Sequence, residues 1–116
     1  MSEPSAASHL TIDVDRAVDF VLVRLRGRLV AGVGGFLYGE VRQLIPGTRR
    51  IVVDLAEVTQ LDSMGLATLV RLYVSAKSEG CSLELAGVGK QIRQILSVTR
   101  LVSVFTIVGE SGIRMP

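Results

Sequence analysis

The feature that most constrains the fold is a regular alternation of strand-like and helix-like segments in the second half of the chain. A continuous apolar run, Ile51 to Val53, is typical of a strand covered on both faces. A helix pattern follows and stops at Gly80, with apolar residues at helical spacing: Leu66, Leu69, Val70, Tyr73 and Val74. Then come a strand in "CSLELAGV", a short helix with Ile92, Ile95 and Leu96 on one face, and a strand in "SVFTIVG". Repeated βα units predict parallel strands joined by right-handed crossovers, with helices packed on the sheet.

The first half of the chain adds an antiparallel hairpin and one more helix. The segments "HLTIDV" and "DFVLVRLRGRL" both alternate apolar and polar residues, and the short turn between them makes them neighbours. We expect the arginines of the second segment to mark an exposed sheet edge: Arg24, Arg26 and Arg28. The helix that follows ends at Pro46-Gly47 and begins irregularly, because four glycines lie within positions 32–39. The predicted fold is a single α/β domain with a mixed, mostly parallel sheet.

The domain organisation follows from length and composition. With 116 residues, 48% of them hydrophobic, the chain fits one globular domain. The opening "MSEPSAAS" predicts a flexible N-terminal segment at residues 1–9, before a domain at 10–110 and a C-terminal tail at 111–116. Cys81 is the one cysteine, which excludes an intrachain disulfide and a multi-cysteine metal site. We expect its side chain to be buried rather than reactive.

Hydropathy and charge predict a protein of the cytoplasm. No apolar run approaches the roughly 20 residues that a membrane-spanning helix needs, and the N-terminus lacks the pattern of a secretory signal. The net charge is +2, and acidic and basic residues are interspersed along the chain. Such a distribution gives little attraction to nucleic acid or to a lipid surface.

Known catalytic and cofactor-binding patterns do not fit this chain. The phosphate-binding pattern GxxxxGK[ST] fails around "AGVGK", at Glu84 and at Gln91. His9 is the one histidine and lies in the N-terminal segment, so a Ser-His-Asp or Cys-His arrangement lacks its base. Asp54 and Asp62 have no further set of metal ligands. We therefore expect a non-enzymatic protein with no catalytic residue, no metal and no cofactor.

The stretch "LDSMGLATL" connects the buried strand to the longest helix. In an open parallel sheet, ligands meet the loops that follow the carboxyl ends of the strands. Three such loops, residues 28–35, 56–65 and 87–90, are expected to lie side by side. In the middle loop, Asp62 or Ser63 is a typical helix N-cap. Capping is compatible with a second role, because a serine at this edge of the sheet is accessible to a kinase.

The chain resembles the STAS domain of bacterial anti-sigma factor antagonists in "GRL", "VVDLAEVTQLDSMGLATLVRLYVSAKSEGCSLELAGV" and "IRQILSVTRLVSVF". The similarity runs from about Thr11 to Val108. Its most specific part is hydrophobic-Asp-Ser-x-Gly-Leu between a strand and an apolar helix. Five residues match it: Leu61, Asp62, Ser63, Gly65 and Leu66.

The resemblance implies a partner switch. The unphosphorylated antagonist binds an anti-sigma factor, an ATP-dependent serine kinase, and frees a sigma factor for transcription. Phosphorylation of the motif serine, Ser63 in this chain, releases the antagonist, and a serine phosphatase reverses it. ATP belongs to the kinase, and the antagonist, a monomer or weak homodimer, contacts neither nucleic acid nor membrane. The partner-binding residues that this implies are Leu29, Val30, Ala31, Asp62, Ser63, Met64, Gly65, Leu66 and Gly89.

The sequence departs from the family pattern at three places. Val30 stands where the family usually carries an acidic residue, and Met64 stands where a second hydroxyl often follows the motif serine. After the last predicted strand only "GESGIRMP" remains in place of the family's final helix. Val30 and Met64 favour an alternative, a STAS interaction module without a phosphorylation switch, within a stress-signalling or transporter-associated assembly.

Overall fold

A single six-stranded sheet organises the domain. The computed structural model describes residues 2–6 and 9–108. The strands lie in chain order across the sheet: β1 (Ser2–Ala6), β2 (Leu10–Arg16), β3 (Val21–Leu29), β4 (Arg50–Leu61), β5 (Ser82–Ala86) and β6 (Thr106–Val108). The first three strands pair antiparallel, and β3 to β6 pair parallel. This arrangement confirms the predicted single α/β domain with a mixed sheet.

Three helices connect the parallel strands: α1 (Gly34–Arg42), α2 (Ser63–Ser78) and α3 (Lys90–Val98), with a short 3₁₀ turn at Leu101–Ser103. Each connection moves one strand further in the same direction, so right-handed crossovers place all three helices on one face of the sheet. The buried apolar residues of this face and of the helices form one core cluster. Among the described residues, no helix combines the length and the apolar character required to span a bilayer.

The N-terminal segment differs from its prediction. Residues Ser2–Ala6 form β1, which pairs with β2 from Ser2 opposite Asp15 to Ala6 opposite Thr11. The predicted order of elements contains no strand at these positions, so β1 was missed, and the flexibility of residues 1–9 stays a prediction. The sequence SEPSA has no alternation of apolar and polar residues, so it gives no local sign of a strand. The strand forms by pairing with β2. The predicted tail, residues 111–116, lies outside the described residues.

Strand β3 is not an edge strand. It pairs with β2 on one side and with β4 on the other. Its arginines lie on the face opposite the helices, where Arg24 approaches Asp54 at 3.5 Å and Arg26 approaches Glu57 at 3.3 Å. The predicted exposed edge was wrong, because alternating charge marks an uncovered sheet face as readily as an uncovered sheet edge.

Helix α1 begins more regularly than its glycines suggested. The expected irregular first turn is absent, since regular helix starts at Gly34, directly after Val33, which makes no side-chain cap bond. A Cβ on Gly34 would lie 2.6 Å from Oγ1 of Thr68 on α2. Glycine at this position therefore allows the two helices to pack closely. The helix ends at Arg42, before the Pro46-Gly47 pair that was predicted to end it.

Helix α2 ends where predicted, but its buried face is slightly rotated from the predicted one. Leu66 and Leu69 are buried as expected, together with Leu72 and Ala76, whereas Val74 is 59% exposed. The interpretation that placed Val74 on the buried face was wrong. Gly80 adopts φ +74°, a left-handed conformation that glycine accepts readily, and it confirms the predicted helix stop.

Candidate functional site

One residue connects the longest strand to the longest helix. β4 continues to Leu61, α2 begins at Ser63, and Asp62 alone lies between them. The predicted loop at residues 56–65 is therefore mostly strand. Two register shifts allow β4 to follow β3 beyond the end of β5, up to the pair Leu29 and Leu61. Because β3 pairs with β4 as far as Leu61, only Asp62 remains to connect β4 to α2.

The Asp62 carboxylate fixes this connection from two sides. Its Oδ1 accepts a hydrogen bond from the Gly65 N–H at 2.9 Å, which caps α2. Its Oδ2 accepts a hydrogen bond from the Ala31 N–H at 2.9 Å, in the loop between β3 and α1. The Asp62 N–H donates to the Leu29 carbonyl at 3.3 Å. Of the two candidates for the N-cap, Asp62 has the role, and it also joins the first loop to the second.

These hydrogen bonds control the ionisation of Asp62. The bond from the Gly65 N–H, followed by the bond from the Ala31 N–H, lowers the pKa of the carboxyl group below its ordinary value. Donors that point at a carboxylate stabilise its charged form. Asp62 is therefore negatively charged at neutral pH, next to the positive end of the α2 helix dipole.

Gly65 lies against the backbone of β3. A Cβ at this position would be 2.0 Å from the Leu29 carbonyl oxygen and 2.8 Å from its carbonyl carbon. Neither atom belongs to a flexible side chain, so any larger residue requires the helix or the strand to shift. Glycine is needed here because α2 begins in direct contact with the strand.

The surface around Ser63 is exposed and carries few charges. Ser63 is the first residue of α2, its side chain is exposed, and its hydroxyl has no hydrogen-bond partner among the described residues. Met64 is 59% exposed. We name this surface the Ser63 patch and define it by its exposed residues: Ala31, Gly32, Ser63, Met64 and Ala67. The patch offers a free hydroxyl, backbone groups and one flexible apolar side chain.

The residues implied as partner contacts differ in accessibility. Ala31, Ser63 and Met64 are exposed, while Val30 and Asp62 are half-buried. Three residues are buried and shape the site from beneath: Leu29, Gly65 and Leu66. The assignment of all of them as partner contacts stays a prediction. Gly32 and Ala67 were not identified from the sequence. Ala67 lies one helical turn after Ser63, and that spacing is the signal that indicates it.

Gly89 is exposed and is the N-cap residue of α3. The strand before it, β5, ends at Ala86, opposite Asp54, whereas β3 and β4 continue to Leu29 and Leu61. The expectation that the loops at residues 28–35 and 56–65 lie side by side was correct, because the Ala31 N–H donates to the Asp62 carboxylate. The assignment of Gly89 as a partner contact stays a prediction.

Other candidate sites do not assemble among the described residues. Asp54 accepts a hydrogen bond from the Ala56 N–H and approaches Arg24, so it does not converge with Asp62. No group of three or more metal-ligating side chains occurs in the described part of the chain. Cys81 is 3% exposed and therefore buried, as expected. Burial raises the pKa of its thiol, and the negative charge of Glu79 makes a smaller contribution in the same direction. A raised pKa keeps the thiol protonated and unreactive.

Replacing Asp62 with asparagine is expected to remove a pH-dependent part of the stability. The folded-state pKa of Asp62 is lowered, so its contribution is complete above the unfolded-state pKa and is lost as the pH falls through the folded-state pKa. Urea unfolding of both proteins from pH 7 to pH 2.5 measures this. The wild type should be more stable at pH 7, and the difference should shrink at acidic pH. A difference that is constant over this range would contradict the role of the carboxylate.

Comparison with known proteins identifies the family. The family model described as "Mlab, STAS domain" matches residues 7–108. A STAS-domain containing protein of Pseudomonas aeruginosa is 29% identical over 85 residues, which cover 73% of this chain and 84% of that protein.

Solved structures show the same fold. An anti-sigma factor antagonist from Mycobacterium paratuberculosis superposes with a TM-score of 0.77 at 22% identity, over 89% of this chain and 88% of that chain. The phosphorylated form of the Bacillus cell fate determinant SpoIIAA has a TM-score of 0.67 at 14% identity, over 86% and 93%. A sulfate transporter family protein from Wolinella succinogenes has a TM-score of 0.69 at 21% identity, over 85% and 79%. The family match covers nearly the whole chain, and the protein belongs to the STAS domain family.

Proposed function

We propose that this protein is an anti-sigma factor antagonist whose binding to its partner is controlled by phosphorylation of Ser63. The observation that carries the proposal is the exposed Ser63 hydroxyl at the first position of α2, free of hydrogen bonds to the described residues. Asp62 provides the helix cap in its place. A group can therefore be added to Ser63 without removing a bond that holds the domain together.

A phosphate on Ser63 leaves the free domain folded. It adds about 1.5 to 2 negative charges at neutral pH. Those charges lie at the N-terminus of α2, where the helix dipole stabilises an anion by about 0.3 to 1 kcal/mol. The ionised Asp62 beside it opposes this by repulsion. The two effects have opposite sign, so they partly cancel in the stability of the free domain.

The same phosphate is costly inside an interface. A partner that covers the Ser63 patch removes water from Ser63, and the exposed neighbours Ala31, Gly32 and Met64 carry no cation to replace it. Leaving a buried charge without a partner costs several kcal/mol, and about 1.4 kcal/mol changes affinity tenfold. Phosphorylation therefore prevents binding while the fold persists.

The partner of this switch is an anti-sigma factor with serine kinase activity, and a serine phosphatase restores the unmodified form. The kinase binds ATP, so the antagonist needs no cofactor of its own. The proposal also holds that the antagonist is non-enzymatic and acts in the cytoplasm. The proposal is supported by the antagonist from Mycobacterium paratuberculosis and by the phosphorylated SpoIIAA, which share the fold.

Mapping the phosphate in protein purified from its native cells tests the site. We expect one phosphate per chain, located on Ser63, to be seen by intact mass and peptide mass spectrometry. Ser63→Ala should abolish it, whereas Ser97→Ala should not, because Ser97 is an equally exposed helical serine on α3. Phosphate that persists in the Ser63→Ala protein would reject the assignment.

A second candidate function is a STAS module that binds its partner without a switch, within a transporter-associated or stress-signalling assembly. Two observations favour it: the exposed Met64 offers an apolar contact, and the half-buried Val30 provides no carboxylate near Ser63. A sulfate transporter family protein also has this fold. In this case a partner would bind the Ser63→Asp variant as tightly as the wild type.

A further inference from the structure

A second surface has an unbalanced charge. From Leu85 to Val108 the sequence contains no aspartate or glutamate, whereas Lys90 and Arg93 lie one turn apart on α3 and Arg100 follows the helix. Lys90 and Arg100 are exposed, and Arg93 is half-buried. Among the described residues, none of these three cations has an ion-pair partner.

The acidic residues of neighbouring elements do not neutralise these cations. Glu79, after α2, pairs with Arg42 at 2.9 Å. Glu84, on β5, accepts a hydrogen bond from Arg50 at 2.9 Å on the opposite face of the sheet. Both carboxylates are therefore engaged with arginines outside α3, and the positive charge of this surface remains available to a partner.

Two exposed apolar side chains lie on either side of Arg100 in the chain. Val98, on the last turn of α3, is 77% exposed, and Val104, after the 3₁₀ turn, is 40% exposed. We name this surface the basic shoulder and define it by five residues: Lys90, Arg93, Val98, Arg100 and Val104. Exposed valines next to cations are typical of protein interfaces, in which apolar contacts contribute affinity and charges contribute orientation.

Arg100 has an unusual backbone conformation. Its φ is +65°, and among the described residues it alone combines a positive φ with a side chain. Helices often end with glycine in this conformation, because a Cβ makes it less favourable. An arginine here places a cation at the end of α3 at the expense of backbone strain, and strained residues are concentrated at functional sites.

We propose that the basic shoulder is a second docking surface, and that it binds an acidic segment of a protein partner. Charge complementarity supports an acidic partner. A membrane surface is disfavoured because recognition of anionic lipid usually needs about 4 to 8 clustered basic residues. Nucleic acid is disfavoured because its affinity rises with the number of phosphates that the protein neutralises, and this surface offers three cations. The shoulder does not depend on Ser63, so it acts whether or not Ser63 is modified.

Binding of an acidic probe tests the basic shoulder. A decaglutamate peptide is titrated into the ¹⁵N-labelled full chain at low salt, and amide chemical shifts are followed. We expect shifts confined to residues 90–104 that vanish at about 0.5 M salt. Arg100→Gly should weaken binding by up to about fivefold, the size of one exposed ion pair, without lowering the melting temperature. Arg100→Lys should bind like the wild type.

Control experiments separate this surface from general charge effects. Arg49→Gln removes an exposed cation elsewhere and should leave the affinity for decaglutamate unchanged. Shifts spread over the whole surface, or an Arg100→Gly protein that binds like the wild type, would overturn the proposal. Tighter binding to phosphatidylglycerol vesicles or to single-stranded DNA, lost in Arg100→Gly, would also overturn it and would assign the surface to a membrane or to nucleic acid.

Discussion

Gly65→Ala is expected to destabilise the domain strongly, because Gly65 is buried in the first turn of α2. The added Cβ would lie 2.0 Å from the Leu29 carbonyl oxygen, far inside van der Waals contact. Relief requires movement of α2 or of the end of β3, and both are held by the Asp62 hydrogen bonds. We expect the free energy of unfolding to fall by about 3 kcal/mol, the upper part of the usual range for overpacking. Urea denaturation measures it.

Gly39→Ala is the matched control for this prediction. Gly39 lies inside α1, and a Cβ there would meet no atom within 4 Å. Alanine should therefore stabilise the helix, by up to about 1 kcal/mol, through its higher helix propensity. If both variants change the stability by less than about 0.5 kcal/mol, the close approach of α2 to β3 is not a constraint on the fold.

Ser63→Asp is expected to abolish binding of the partner that copurifies with the unmodified protein. The carboxylate adds a negative charge to the Ser63 patch, next to the ionised Asp62. Because burying an unpaired charge costs several kcal/mol, the affinity should fall by about 100-fold or more. The melting temperature should change little, since the added charge lies at the favourable end of α2. Calorimetric titration of the purified partner measures the affinity.

Two controls accompany the Ser63→Asp measurement. Ser63→Ala removes the hydroxyl without adding charge and should bind within a few-fold of the wild type. Val18→Asp adds the same charge at a fully exposed position in the turn between β2 and β3, at the opposite end of β3 from Leu29 and Asp62, and should leave the affinity for the partner unchanged. If Ser63→Asp binds as tightly as Ser63→Ala, the protein is a module without a switch and the proposed regulation is wrong.

The sequence was sufficient for the architecture because periodicity is a local signal. The βα repeats and the stop of α2 at Gly80 were predicted and confirmed. The strand β1 was missed, and two further errors concern what covers an element. Val74 fits a helical period and is nevertheless exposed, and the β3 arginines lie on an open face rather than at an edge. Periodicity identifies a face but not the element that packs against it.

The details of the site depended on contacts between residues distant in sequence. Asp62 and Ser63 were equally good caps locally, and the Ala31 N–H, 31 residues earlier in the chain, provides a second donor that Asp62 accepts. The role of Gly65 is set by the Leu29 carbonyl. Neither contact has a local signature, so the sequence indicated Asp62 and Gly65 as candidate site residues but not the contacts they make.

The single-residue connection at Asp62 limits the ways in which this site can switch between two states. A long loop could switch between two conformations, and thermal motion would reverse such a change within about microseconds to milliseconds. With Asp62 alone between β4 and α2, the backbone has no slack in which a second shape could form. A signal at this site is then carried by a group that is bound or attached at the surface. In the proposed switch that group is the phosphate on Ser63, and its lifetime is set by the kinase and the phosphatase rather than by loop motion.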